Sequence, residues 1–141
     1  MTTTTTTNDD TGRGLVLAAR VLMAAIFLVA GVRKLLTYGA TLGYFGKLGI
    51  PLADVVLPLT IALEVGGGLL LIAGWRVQWV AGALALFTLA TGFIAHAFWA
   101  ADAAQFNGQL NNFLKNVAMV GGFLVLIAHA SAAGRKAGPA G

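Results

Sequence analysis

Four long apolar segments constrain the fold of this chain more than any other feature. They cover residues 15–36, 53–74, 77–101 and 113–133. A helix of about 20 apolar residues spans the hydrocarbon core of a bilayer. Inside the bilayer every backbone N–H and C=O group needs a partner within the protein, and a helix supplies it. The sequence therefore predicts an all-α, polytopic membrane protein folded as a bundle of four transmembrane helices.

The rest of the composition excludes several classes of function. Of the 141 residues, 58% are apolar and 10% are charged, against about 25% charged in soluble domains. Four spans use nearly all of this length, so no room remains for a separate catalytic or nucleotide-binding domain. The sequence has no cysteine, which excludes a thiol relay, an iron–sulfur cluster and a disulfide within this chain. Its basic residues form no continuous tract, which argues against nucleic-acid binding.

The chain divides into one membrane domain with two short tails. Residues 1–13 are polar and rich in threonine, and we expect a disordered tail there. The membrane domain covers residues 14–133, and a short C-terminal tail covers residues 134–141. An even number of spans places both tails on the same side of the membrane.

The connections between spans differ in length and in charge. Residues 75–76 form a tight turn, whereas residues 37–52 and 102–112 form longer connections on the opposite side. The first long connection mixes aromatic residues with glycine, which favours a short helix at the membrane interface. Basic residues lie near the tails and the tight turn: Arg13, Arg76, Arg135 and Lys136. Because cytoplasmic loops carry an excess of lysine and arginine, we expect cytoplasmic termini.

Two ionisable residues lie deep within the predicted spans, away from the span ends. Glu64 is close to the middle of the second span, and Arg20 lies about 8 Å inside the first. A charged side chain at that depth costs about 2.5–3.5 kcal/mol on insertion, so it usually faces the bundle interior and has a partner. We expect Arg20 to pair with Glu64, either as part of a ligand pocket or as a purely structural ion pair.

A second group of polar residues is predicted at the end of the spans opposite the tails. Lys34, His96 and Lys115 lie at similar depth there, and Asn116 follows on a neighbouring face. One hypothesis makes them a pocket whose positive charge binds a small anion or a polarised carbonyl, with the histidine able to exchange a proton. The alternative is that the lysines extend to lipid headgroups and that the histidine makes a structural hydrogen bond.

The two histidines do not form a metal site. His96 is near one end of its span and His129 is near the opposite end of another. Their side chains therefore cannot ligate the same ion, and the sequence offers no cysteine in place of a second imidazole. We expect neither zinc nor haem, and no covalent cofactor.

The order and spacing of several residues resemble a known family. They are Arg20, Gly31, Lys34, the run Gly49-Ile50-Pro51, Glu64 with Gly66 and Gly67, His96, and the run Phe113-Leu114-Lys115-Asn116. Together they resemble the DoxX family over residues 15–130. The resemblance implies a small four-helix protein of the bacterial inner membrane. Members are related to the DoxD subunit of thiosulfate:quinone oxidoreductase, and some are linked to membrane oxidoreductase complexes.

Three functions are compatible with these observations. The resemblance and the pocket together favour a membrane subunit or anchor of a quinone-linked oxidoreductase, with quinone or a small anion as ligand and an oxidoreductase subunit as partner; whether the chain is itself an enzyme stays open. A small transporter is the second hypothesis, because such proteins also combine four helices with one buried carboxylate. An assembly protein without a ligand is the third.

Overall fold

The structure is a computed structural model, which describes the backbone of residues 4–136 and the side chains of residues 10–135. Within this range the chain forms five α-helices and one short 3-10 helix, and no strand. The α-helices are α1 (Thr4–Leu36), α2 (Tyr38–Lys47), α3 (Ala53–Ala73), α4 (Val77–Ala95) and α5 (Ala103–Lys136), and the 3-10 helix is Phe98–Ala100.

The all-α, four-span prediction is confirmed. Four stretches of the described chain are long and apolar enough to cross a membrane: Asp10–Leu36, Ala53–Ala73, Val77–Ala100 and Ala103–Arg135. The short helix α2 occupies the first long connection and packs on α1 and α3. Its Phe45 is buried against the bundle, as an interfacial helix requires.

The predicted helix boundaries near the second long connection are wrong. Helix α4 ends at Ala95, and α5 already begins at Ala103. The backbone N–H of Gln105 donates to Asp102 Oδ1 at 2.9 Å, so an aspartate caps the start of α5. The amide-rich segment is therefore the first part of α5, and the 34-residue helix is about 51 Å long, which exceeds the hydrocarbon core.

The tails also differ from expectation where the structure describes them. Helix α1 begins at Thr4, inside the segment expected to be disordered, because extending the helix of the first span avoids the cost of nucleating a new one. At the other end, α5 continues to Lys136. Residues 1–3 and 137–141 of the predicted tails lie outside the described residues.

The four spans pack as two antiparallel pairs. Helix α1 lies along α3 and α4 lies along α5, and the pairs meet mainly where α3 contacts α4. The largest fully buried side chains are Phe123, Leu57, Leu71 and Leu84. Most of the apolar core lies towards the α3–α4 turn, which leaves the other end of the bundle open around a more polar interior.

The close contact of α1 with α3 depends on Gly31. A Cβ atom on this residue would lie 2.7 Å from Cγ2 of Val65 and 3.2 Å from the Cβ atom of Glu64. Such approach of two backbones is what small residues permit in membrane helices. The contact fixes α1 and α3 in register beside Glu64.

Membrane topology is a direct test of the charge distribution. With cytoplasmic termini, an alkaline phosphatase fused after Ala133 should be inactive, whereas one inserted at Gly43 in α2 should be active, because the enzyme folds only on the periplasmic side. The Arg76 turn should behave like the C-terminal fusion. An active fusion after Ala133 together with a silent insertion at Gly43 would invert the orientation.

Candidate functional site

The candidate site is a cavity beside α2, enclosed by α1, α3, α4 and α5, which we call the α2 cavity. Its volume is about 670 Å³. Its wall has an apolar part with Phe27, Phe45 and Phe87, and a polar part made of Lys34, Thr60, Glu64, Thr88, Thr91, His96 and Asn116. Arg33 and Tyr44 also border it. The cavity therefore combines a large apolar surface with a small number of convergent polar groups, as ligand pockets do.

An ion pair between Lys34 and Glu64 forms the charged part of the cavity wall. Lys34 Nζ donates to both carboxylate oxygens of Glu64, at 2.7 and 2.9 Å. Glu64 is only 3% exposed, whereas the side chain of Lys34 keeps 23% exposure. The lysine therefore neutralises a carboxylate inside the bundle, and its aliphatic stem extends from the end of α1 inwards instead of to a headgroup.

The expected pair between Arg20 and Glu64 is wrong, because the register of α1 against α3 separates the two residues. Gly31 lies opposite Glu64, while Arg20 Nη2 donates to the carbonyl oxygen of Ile72 at 2.9 Å. Ile72 is eight residues after Glu64, about 12 Å along α3. Arg20 therefore stabilises the C-terminal end of α3, where a cation also interacts favourably with the helix dipole.

His96 lies at the C-terminal end of α4, where it lines the cavity. Its Nδ1 atom is 3.0 Å from Oε1 of Gln109 on α5. An amide oxygen can only accept, so this contact makes Nδ1 the donor. Nε2 then accepts a hydrogen bond when the ring is neutral and donates one when the ring is charged. No described residue hydrogen-bonds to Nε2, and the atom is free to serve a ligand.

Asn116 reaches the cavity from α5, where it packs beside Gly92 of α4. Its Nδ2 atom donates to the carbonyl oxygen of Thr88 at 3.2 Å and lies 3.5 Å from Thr91 Oγ1. A Cβ atom on Gly92 would lie 3.4 Å from the same nitrogen. The amide thus joins α4 to α5 through a polar contact, while its oxygen stays available as an acceptor.

Comparison with known proteins shows the family of this chain. The DoxX sequence profile matches residues 15–97, which is more than half of the chain. The chain belongs to the DoxX family. It is 39% identical to the Escherichia coli inner membrane protein YqjF over 84% of this chain and 83% of that protein. It is 30% identical to the Escherichia coli inner membrane protein YphA over 79% and 80% of the two chains. No solved structure matches the chain.

Four of the six residues proposed from the sequence line the α2 cavity of this DoxX protein. They are Lys34, Glu64, His96 and Asn116. Arg20 lines a different cavity at the opposite end of the bundle. Lys115 is exposed and lines neither cavity, because it is the next residue on α5, Asn116, that points into the bundle. Within the matched profile, Lys34, Glu64 and His96 therefore meet at one site.

The charge expected around Glu64 is also wrong. The sequence suggested an excess of cations there, from Arg20, Lys34 and Lys115. Because Arg20 and Lys115 lie elsewhere, the Glu64 carboxylate is paired with Lys34 alone, and the two charges neutralise each other. The exposed Arg33 is the other arginine or lysine on the described wall. The ion pair inside the α2 cavity is therefore neutral overall, and because Arg33 is exposed, a small anion gains less by entering than the predicted excess of cations would provide.

Sequence reasoning missed several residues of the site. Gln109, which holds His96, belongs to a segment that was expected to be a loop. Tyr44 lies on α2, and no pattern in the sequence predicted where α2 packs on the bundle. Thr88 and Thr91 hydrogen-bond to carbonyls one turn earlier and look unremarkable in the sequence. Only the run of amides before the fourth span was a usable signal.

Proposed function

We propose that this DoxX protein is an inner-membrane subunit of a quinone-linked oxidoreductase system, and that the α2 cavity binds the quinone headgroup. The observation that carries the proposal is the cavity itself, in which an apolar wall faces Lys34, His96 and Asn116. The names of the Escherichia coli relatives, both inner membrane proteins, support the location.

The size and the walls of the cavity suit a flat, largely apolar ring. A volume of about 670 Å³ falls within the roughly 300–1,000 Å³ of small-molecule pockets. Phe27, Phe87 and Tyr44 offer aromatic surfaces, against which a ring packs by stacking or by edge contact.

The polar groups suit the two carbonyl oxygens of a quinone. Two donors of the Lys34 ammonium point to Glu64, which leaves a third for a ligand. His96 Nε2 donates to a carbonyl when the ring is protonated and accepts the hydroxyl proton of a quinol when the ring is neutral. Reduction of a quinone to a quinol takes two electrons and two protons. The electrons would come from a partner redox subunit, one proton would come from the protonated ring of His96, and the other would come from water.

The charge balance favours a neutral quinone over the other ligands considered. A small oxyanion would meet the Glu64 carboxylate, whose charge the single contacting lysine already offsets. A cation transporter needs a carboxylate that is free to exchange a proton for its cargo, and Glu64 is held by two short hydrogen bonds. A neutral ligand that receives hydrogen bonds needs no net charge in the site.

Quinone binding by the purified protein tests the proposal. In nanodiscs, a short-tailed ubiquinone or menaquinone analogue should bind saturably. Replacing His96 with leucine should weaken binding by up to about tenfold, the value of one lost hydrogen bond. Replacing Gln109 with leucine keeps the imidazole but frees its orientation, so this change should have a smaller effect in the same direction.

The matched control is Lys115→Gln, which removes an exposed cation near the same end of the bundle without touching the cavity. Its affinity for the quinone should equal that of the wild type. Absence of saturable binding, or equal losses in His96→Leu and Lys115→Gln, would refute the quinone site and favour an assembly protein without a ligand.

A further inference from the structure

A second cavity lies at the opposite end of the bundle, and its chemistry differs from that of the α2 cavity. It is formed where α1, α4 and α5 meet the α3–α4 turn, and its volume is about 470 Å³. We call it the turn cavity. Basic or amide side chains line it from four positions, namely Arg20, Arg76, Gln78 and His129. No described residue of its wall carries a carboxylate.

Arg20 lines this cavity and has unused hydrogen-bonding capacity. Its Nη2 atom donates to Ile72 O, yet its Nε atom is buried and has no partner among the described residues. Gly74 ends α3 with φ +78, and a Cβ atom there would lie 2.6 Å from Arg20 Nη1. The glycine therefore makes room for the guanidinium, which has five N–H donors in a fixed plane.

The other groups around the guanidinium add positive charge or donors. Helix α4 begins at Val77 with Arg76 as its N-cap residue and without a side-chain cap, so its first amide N–H groups and its positive dipole end lie at the cavity. The Arg76 guanidinium is 5.5 Å from the ring centroid of Trp75. His129 approaches from α5. Asp10 lies ten residues before Arg20 on α1, about 15 Å away along the helix.

The position of the turn cavity indicates the depth of lipid headgroups. Trp75 and Trp79 are 56% and 69% exposed at this turn, and tryptophan is enriched at the membrane–water interface. The remaining wall includes apolar side chains such as Val16 and Leu126, which suit the first carbons of an acyl chain. Basic pockets between membrane helices at this depth bind anionic headgroups.

We propose that the turn cavity binds a phosphate group, carried by an anionic phospholipid headgroup or by free phosphate, with Arg20 as the central donor. A phosphate presents acceptor oxygens that match the planar fork of an arginine. It would also supply the negative charge that the described wall lacks. The site is independent of the proposed quinone site, because the two cavities share no residue.

Retention of lipid by the purified protein tests this proposal. In native mass spectrometry after exchange into mixed lipid, the wild type should retain phosphatidylglycerol in preference to phosphatidylcholine. In the double variant Arg76→Gln/His129→Gln, the ratio of retained phosphatidylglycerol to phosphatidylcholine should fall by at least about fivefold, the value of one basic side chain near the membrane surface. Both residues are exposed, so the variant should fold. Arg20→Gln should abolish the preference, although it also removes the contact at the end of α3.

A second experiment distinguishes free phosphate from a lipid headgroup. Inorganic phosphate alone is added to the protein in phosphatidylcholine nanodiscs, and thermal stability is measured. Stabilisation of the wild type but not of Arg76→Gln/His129→Gln would identify free phosphate as a ligand. Phosphatidylglycerol retained against millimolar phosphate would identify the lipid headgroup. Lys115→Gln is the matched control and should behave as the wild type in both arms. Equal retention of both lipids without any effect of phosphate, or equal losses in the control, would overturn the proposal.

Discussion

Replacing Glu64 with glutamine should lower the free energy of unfolding by about 2–4 kcal/mol, because it leaves the Lys34 ammonium without its counter-charge inside the bundle. The side chain of Lys34 is 23% exposed and can partly turn towards water, so the loss should lie below that for a completely buried pair. Lys47→Gln removes an exposed lysine of α2 and should change stability by less than about 0.5 kcal/mol. Unfolding in mixed detergent micelles measures both values.

Double-mutant cycles separate the partner of Glu64 from its other neighbours. Lys34→Met combined with Glu64→Gln should cost less than the sum of the single changes, with a coupling of about 1–3 kcal/mol, since the two side chains are in direct contact. Arg20→Gln combined with Glu64→Gln should be additive within about 0.5 kcal/mol, because Arg20 contacts the end of α3 instead. The opposite pattern would mean that the arginine, not the lysine, balances the carboxylate.

The substitution Gly31→Val should lower stability nearly as much as loss of the Glu64 carboxylate. The new Cβ atom would meet Val65 at 2.7 Å, and its branches would add to the overlap. Helix α1 would have to move away from α3, at a cost of about 2–3 kcal/mol. Because this contact also positions Lys34 against Glu64, quinone affinity should fall together with thermal stability.

Gly66 provides the matched control, since it lies two residues after Glu64 on α3 and a Cβ atom there would meet nothing within 4 Å. Gly66→Val should leave stability within about 0.5 kcal/mol, because the overlap is absent and valine favours the helix slightly over glycine. If both substitutions are tolerated equally, the close approach of α1 to α3 at Gly31 is not the basis of the packing.

The four-span fold was predictable from the sequence because length and hydropathy alone determine it. Each apolar segment is long enough to cross the bilayer, and no competing element can satisfy the backbone there. The ends of the helices were less predictable. Asp102 caps α5 eleven residues before the apolar segment begins, and polar residues continue a helix outside the bilayer without any change in periodicity.

The candidate site was predictable only in part, because depth in the membrane was readable but register between helices was not. Counting residues placed Glu64 near the middle of its span, and it is buried there. The partner depended on how α1 slides along α3, which the contact of Gly31 with Val65 fixes. Because of that contact, Lys34 lies one helical turn from the Glu64 carboxylate and binds it, whereas Arg20 lies at the opposite end of the bundle beside Ile72.

The sequence also did not show towards which neighbouring helix each side chain points. Lys115 and Asn116 are neighbours in the sequence, yet the asparagine faces α4 and the lysine is exposed. A difference of one residue turns a side chain by about 100°. On α5, the stripe of glycine and alanine residues did not show which face of the helix points to the bundle interior and which points to the lipid.

Photochemical labelling tests the central claim, that the α2 cavity is a quinone-headgroup site, most directly. A short-tailed azidoquinone would be bound to the protein in nanodiscs, illuminated, and mapped by mass spectrometry of the labelled peptides. We expect labels on the wall of the α2 cavity, at Phe27, Tyr44, Phe87 or Ile94, and their loss in excess unlabelled quinone. Labels confined to lipid-facing residues such as Leu22 and Leu86, without competition by unlabelled quinone, would contradict this claim.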